Sequence, residues 1–78
     1  SIKLPLTISI KSTDYKKIIY LEEVLANIDL ISNFYILKFN NKFTQYRIIY
    51  NGSPKIFFND INNRYFDLVM ENNVWTVK

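Results

Sequence analysis

Apolar and polar residues alternate at the start of the chain, where every second position from Leu4 to Ile10 is apolar. A period of two is typical of a β-strand with one buried face. Residues 12–14 then supply serine, threonine and aspartate, the side chains that cap helix N-termini. The apolar positions that follow recur at spacings of three and four: Ile18, Leu21, Val24, Leu25 and Ile28. This pattern predicts an amphipathic helix from about Asp14 to Asn27.

A β-hairpin is predicted between Phe34 and Tyr50, where two strand-like runs meet at Asn40, Asn41 and Lys42. Asparagine tolerates the positive φ that a tight turn requires. A two-residue turn at Asn40-Asn41 or at Asn41-Lys42 gives the same division of side chains between the two faces. The face expected to meet the helices carries Tyr35, Leu37, Phe39, Tyr46 and Ile48. The opposite face carries Ile36, Lys38, Gln45 and Arg47.

A second, shorter helix is predicted after this hairpin. Ser53 is a natural N-cap, and Pro54 fits the first helical position because its missing N–H needs no partner there. The helix is expected to end at about Asn62. Phe57 and Ile61 lie one turn apart on it and are expected to be buried against the sheet.

The chain closes with two predicted strands, Phe66 to Met70 and Val74 to Val77, joined by a turn at Asn72 and Asn73. The element order is then β-α-β-β-α-β-β, which predicts one α+β domain over residues 1–78. This is a ferredoxin-like split β-α-β plan with an extra C-terminal strand, in which an antiparallel sheet carries both helices on one face. Right-handed crossovers predict the sheet order 5-4-1-3-2.

The composition indicates a folded chain that lacks the usual catalytic residues. Of the 78 residues, 49% are hydrophobic and 22% are charged, which is far from the composition of disordered proteins. There is no histidine and no cysteine, so imidazole bases, thiol nucleophiles and the favoured transition-metal ligands are excluded. Gly52 is the only glycine, whereas the common nucleotide-binding loops need several. We therefore expect neither enzymatic activity nor a cofactor.

The sheet face turned away from the helices is the predicted binding surface. Its candidate residues are Lys11, Ile36, Lys38, Phe43, Arg47 and Ile49. An apolar face built around Ile36, Phe43 and Ile49 would bind another protein, a neighbouring domain of the same chain or a second copy in a homodimer. Protein interaction is the preferred hypothesis.

Binding of nucleic acid is the alternative hypothesis for the same face. The net charge is +3, and this function would require Lys3, Lys11, Lys38 and Arg47 to converge. Phe43 is the one aromatic side chain on the two central strands expected to point outwards, and the third strand lacks the glycine and aromatic pattern of RNA-recognition motifs. A small-molecule sensor would need a pocket between helices and sheet that no motif indicates.

The C-terminal half runs from Ile48-Ile49-Tyr50-Asn51-Gly52 through a short helix to Leu68 and then to Trp75-Thr76-Val77. It resembles the closing module of a proteobacterial family of predicted envelope proteins of unknown function, and the first half, with Asp14-Tyr15 before its helix, is similar too. The resemblance implies a non-enzymatic module in the periplasm or cell envelope, with the cytoplasm as the alternative. The first residue is Ser1 rather than methionine, which favours a processed form or a domain of a longer chain. The sequence has no apolar run of the ~18 residues needed to span a bilayer.

Overall fold

The computed structural model describes residues 4–62 and 64–78. Its elements are β1 (Leu4–Lys11), α1 (Tyr15–Ala26), β2 (Ile31–Phe39), β3 (Phe43–Tyr50), α2 (Pro54–Ile61), β4 (Leu68–Glu71) and β5 (Val74–Val77). This is an α+β fold with two helices and one five-stranded sheet, and the predicted order of elements along the chain is confirmed.

The core lies on one side of the sheet, because β1 and β3 direct alternate side chains to that side. The two strands pair antiparallel along their whole length, with Leu6 opposite Ile48 and Ile8 opposite Tyr46. Both helices bury their apolar side chains in the same core. The helix residues buried there are Leu21, Val24, Leu25, Phe57 and Ile61. The predicted placement of both helices on one face is therefore confirmed, and we call the other side of the sheet the open face.

The residues before α1 do not cap it as expected. Asp14 is the N-cap residue, but its side chain makes no capping hydrogen bond within the described residues. Ser12 turns towards the β2–β3 hairpin instead: its hydroxyl donates to the Asn40 carbonyl oxygen at 2.6 Å and lies 2.9 Å from the Thr44 hydroxyl. The end of β1 is thereby joined to the hairpin turn.

The start of α2 follows the prediction. The Ser53 hydroxyl accepts a hydrogen bond from the backbone N–H of Ile56 at 3.2 Å, and Pro54 occupies the first turn. Gly52 is required for space, because a Cβ atom there would lie 2.7 Å from Cε2 of Tyr50. The Tyr50 ring is fully buried and packs against Phe57. The glycine therefore lets the chain pass close to a core aromatic ring.

The predicted strand order 5-4-1-3-2 is wrong, and so is the purely antiparallel sheet. The observed order is β2-β3-β1-β5-β4, with β5 parallel to β1. This arrangement places Trp75 beside Ile8 and against the ring of Phe58, with ring centroids 4.9 Å apart. The half-exposed Val69 and Met70 of β4 stay at the edge. β5 therefore lies inside β4 in the sheet, because its side chains fill the core and burial of large apolar groups is the dominant stabilising term.

The predicted faces of β2 are also wrong over much of the strand. The turn is Asn41-Lys42, but the register shifts by one residue between Ile36 and Lys38, where Leu37 forms a β-bulge. An extra residue exchanges the two faces for the residues that precede it, here as far as the second register shift between Ile31 and Asn33. Ile36 therefore lies opposite Tyr46 on the core side, and Tyr35 lies opposite Arg47 on the open face.

Candidate functional site

A groove of about 540 Å³ lies on the core side of the molecule, between α1 and the β2–β3 hairpin. Tyr15 and Ile18 line it from α1, and Ile36 and Phe39 line it from β2. Three of these apolar side chains are strongly exposed: Tyr15 by 72%, Ile36 by 52% and Phe39 by 69%. We call this feature the α1–β2 groove. Its volume falls within the range of small binding pockets, and its walls are mainly apolar.

The floor of the groove is polar and internally hydrogen-bonded. It includes Ser12 and Thr44, whose hydroxyls bond each other as described above. The Asn40 side-chain oxygen accepts from the backbone N–H groups of Lys42 and Phe43 at 2.8 and 2.9 Å, which fixes the adjoining turn. Hydrogen bonds between polar groups, rather than apolar packing, therefore fix the floor of the groove and the turn beside it.

Tyr46 and Glu22 close the groove on its inner side. The Tyr46 hydroxyl donates to Oε2 of Glu22 at 2.5 Å, which links β3 to α1. Burial of the ring, the hydrogen bond to Glu22 and the negative charge of Glu22 together raise the pKa of Tyr46 well above its ordinary value. Tyr46 therefore stays protonated at neutral pH and serves as a fixed donor.

The open face carries five of the six predicted binding residues. Lys11 lies opposite Phe43 and Ile49 lies opposite Pro5 on neighbouring strands. Lys38 and Arg47 are on the same face, and the Lys38 ammonium lies 5.8 Å from the centre of the Phe43 ring. Lys3 lies outside the described residues.

Ile36 was predicted for the open face and lies instead in the α1–β2 groove, because of the bulge at Leu37. The open face gains Tyr35 in its place. The predicted apolar centre of this face therefore lacks Ile36, while Phe43 and Ile49 remain on it and are half-buried. Arg47 itself is half-buried, and its Nε atom is buried without a hydrogen-bond partner among the described residues.

The edge of β2 separates these two surfaces. β2 is the outermost strand, and in the described part of the chain no strand pairs with its outer edge. Along this edge, Ile36 and Phe39 line the α1–β2 groove, while Tyr35 and Lys38 lie on the open face. An unpaired edge offers backbone N–H and C=O groups to a further strand.

The described residues contain no group of three or more acidic side chains that could hold a metal ion. Neither helix is long and apolar enough to cross a bilayer.

Comparison with known protein families, curated proteins and solved structures found no match for this chain. The resemblance to envelope proteins therefore stays a prediction. The role of the site rests on its geometry.

Sequence reasoning missed the α1–β2 groove, although one signal of it was present. Tyr15 is an apolar residue of α1 that lies outside its buried stripe, and it is strongly exposed. An apolar residue in excess of those needed for the core is a sign of a second surface. The position of Ile36 carried no such signal, because a β-bulge cannot be read from alternation alone.

Proposed function

We propose that this chain is a non-enzymatic protein-interaction module of a bacterial cell-envelope protein, and that it binds an apolar protein segment in the α1–β2 groove. The observation that carries the proposal is the exposure of Tyr15, Ile36 and Phe39 around one groove. Large apolar side chains grouped on a surface are typical of sites that bind other proteins.

The position of the groove supports recognition of an extended segment. Its outer wall is β2, the edge strand, so a bound segment reaches apolar side chains and unpaired backbone groups together. Addition of a strand to a sheet edge, with alternate side chains entering a neighbouring pocket, is a common mode of peptide recognition. The assignment to the cell envelope rests on the resemblance of the C-terminal half to envelope proteins.

Peptide selection against the immobilised chain tests the proposal. Peptides selected from a random displayed library should bind the parent chain and lose about tenfold or more in affinity to Ile36→Asp, because a carboxylate would sit in the apolar wall. Ile56→Asp is the matched control, since Ile56 is exposed to a similar degree on α2 and lies outside the groove lining. Fluorescence anisotropy measures both affinities.

Peptides that bind the parent chain and Ile36→Asp equally well would contradict the proposal. Failure to select any peptide above background would contradict it too. Both variants need a thermal unfolding curve, because a loss of binding counts only in a folded chain.

A second candidate function is binding of single-stranded nucleic acid on the open face. The observation that favours it is Tyr35, which joins Phe43 as a second aromatic ring among Lys11, Lys38 and Arg47. Aromatic rings among cations can stack bases and neutralise phosphates. A labelled oligonucleotide that binds this chain, and loses affinity steeply with added salt, would favour this function over the first.

A further inference from the structure

The charges around the edge of β2 are distributed unequally. The sequences of β1, β2 and β3 contain no aspartate or glutamate, and their three cations are Lys11, Lys38 and Arg47. All three cations lie on the open face. A segment added at the edge of β2 would therefore have Lys38 beside it on one of its sides, with Arg47 one strand and Lys11 two strands further in.

The other side of such a segment would meet the α1–β2 groove. Ile36 and Phe39 belong to β2 and line that groove, and Tyr15 faces them from α1. Because successive side chains of a strand point to opposite faces, an added strand would present every second residue to the groove and the remaining residues to the open face. The groove favours apolar residues on one side of the added segment, and the basic open face favours acidic residues on the other side.

We infer that the ligand is an extended segment in which apolar and acidic residues alternate, and that it binds as an additional strand on β2. This inference rests on the proposed function and specifies its ligand. The apolar residues enter the α1–β2 groove, and the carboxylates lie on the open-face side, where Lys38 of β2 is the nearest cation. Opposite charges on neighbouring strands attract each other, whereas like charges repel.

A second copy of this chain fits the edge less well than such a segment. Two β2 edges brought together would place two basic open faces side by side, each with Lys38 close to the junction. Lysine residues on an edge strand are one of the devices by which sheets avoid pairing with copies of themselves.

Four short labelled peptides test the inference by fluorescence anisotropy at low and moderate salt. The first alternates valine and glutamate, and the second alternates valine and lysine. The third and fourth repeat the first, with backbone nitrogens methylated at every valine in one and at every glutamate in the other. The first should bind about five- to tenfold tighter than the second, because its charges oppose those of the open face. Methylation in one of the two registers should weaken binding about tenfold, because it removes the donors that pair with β2.

Charge reversal on the protein supplies the matched control. Lys38→Glu should reverse the preference, so that the valine–lysine peptide binds more tightly. Lys55→Glu changes the net charge equally on α2 and should preserve the original preference. A preference that shifts equally in both variants would overturn the inference.

The outcomes separate this inference from the proposed function. In one outcome, the selected apolar peptides lose affinity in Ile36→Asp, but the two charged peptides bind equally well and methylation has no effect in either register. The groove then binds proteins, and the alternating strand is overturned. Selected peptides that bind Ile36→Asp as tightly as the parent chain overturn both the proposed function and the inference. Displacement of the valine–glutamate peptide by a single-stranded oligonucleotide, with stronger binding of the oligonucleotide, would overturn the inference in favour of nucleic acid.

Discussion

β2 and β3 are adjacent strands of one hairpin, yet they use their apolar residues in different ways. β3 alternates strictly between buried and half-buried positions, with Tyr46, Ile48 and Tyr50 in the core. All residues of β2 are exposed or half-buried, although Tyr35, Ile36, Leu37 and Phe39 are large and apolar. The difference follows from position, because among the described residues β3 has a paired strand on each side and β2 has one.

This contrast shows that apolar character in a strand does not by itself indicate a role in the core. β3 stabilises the fold, since its buried side chains contact both helices through the common core. β2 keeps Ile36 and Phe39 at the rim of the α1–β2 groove, where they contribute little to stability and are accessible to a ligand. β3 therefore supplies the fully buried side chains of the hairpin, although its Tyr46 also lines the groove and Phe34 of β2 packs against the core.

The largest expected effect comes from deletion of one residue in each strand. Deletion of Arg47 would shift the register of β3 against β1 or β2 and turn part of its buried face outwards, so we expect the chain to lose cooperative unfolding. Deletion of Leu37 would remove the bulge and leave Ile36 opposite Tyr46 and Lys38 opposite Gln45, as they are now. This variant should unfold within about 1 kcal/mol of the parent chain. Urea unfolding followed by circular dichroism measures both, and a Leu37 deletion as damaging as the Arg47 deletion would contradict the observed register.

Matched truncations of two isoleucines test the contrast on a smaller scale. Ile48 is fully buried, and Ile48→Ala should lower the free energy of unfolding by about 2 to 5 kcal/mol through lost burial and the cavity left behind. Ile36 is half-exposed, so Ile36→Ala should cost about 0.5 kcal/mol or less while weakening peptide binding. Denaturant titration of both variants gives the two values. Similar losses at the two positions would show that β2 carries more of the core than its exposure indicates.

The smallest effect is expected at alkaline pH and concerns the two buried tyrosines of β3. Burial raises the pKa of Tyr46 and of Tyr50 above the ordinary value of 10.0, with the carboxylates of Glu22 and Asp60 adding to the respective shifts. Below about pH 10 both tyrosines are protonated in the folded and unfolded states, so the stability they contribute is fully present. Above that pH the unfolded chain releases protons that the folded chain retains, and the free energy of unfolding should fall by up to about 1.4 kcal/mol per pH unit for each tyrosine.

Urea unfolding at a series of pH values measures this slope. Tyr46→Phe should make it shallower, because one of the two titrating groups is removed. The same variant measured at pH 7 gives the separate cost of losing the hydrogen bond to Glu22. An unchanged alkaline slope in Tyr46→Phe would show that this tyrosine does not titrate differently in the two states.

Much of the local structure was predictable from neighbouring residues. The buried stripe of α1, the Ser53 cap of α2 and the turn at Asn72 and Asn73 all follow from local chemistry, and both asparagines have positive φ as the predicted turn requires. The predicted binding surface was correct in part. Five of its six residues share the open face, but Ile36 lies in the α1–β2 groove, because the bulge at Leu37 changes the face of β2.

The sequence by itself determined the elements, their order and the buried side of β1, β3 and both helices, because these depend on spacing, caps and turns within a few residues. It also determined that β1 to β3 carry cations and no carboxylates. Only the tertiary structure decided that β5 lies between β1 and β4 and that β2 carries a bulge. Those choices depend on how large side chains such as Trp75 fill a shared core, which is a property of the whole packing arrangement and not of any one segment.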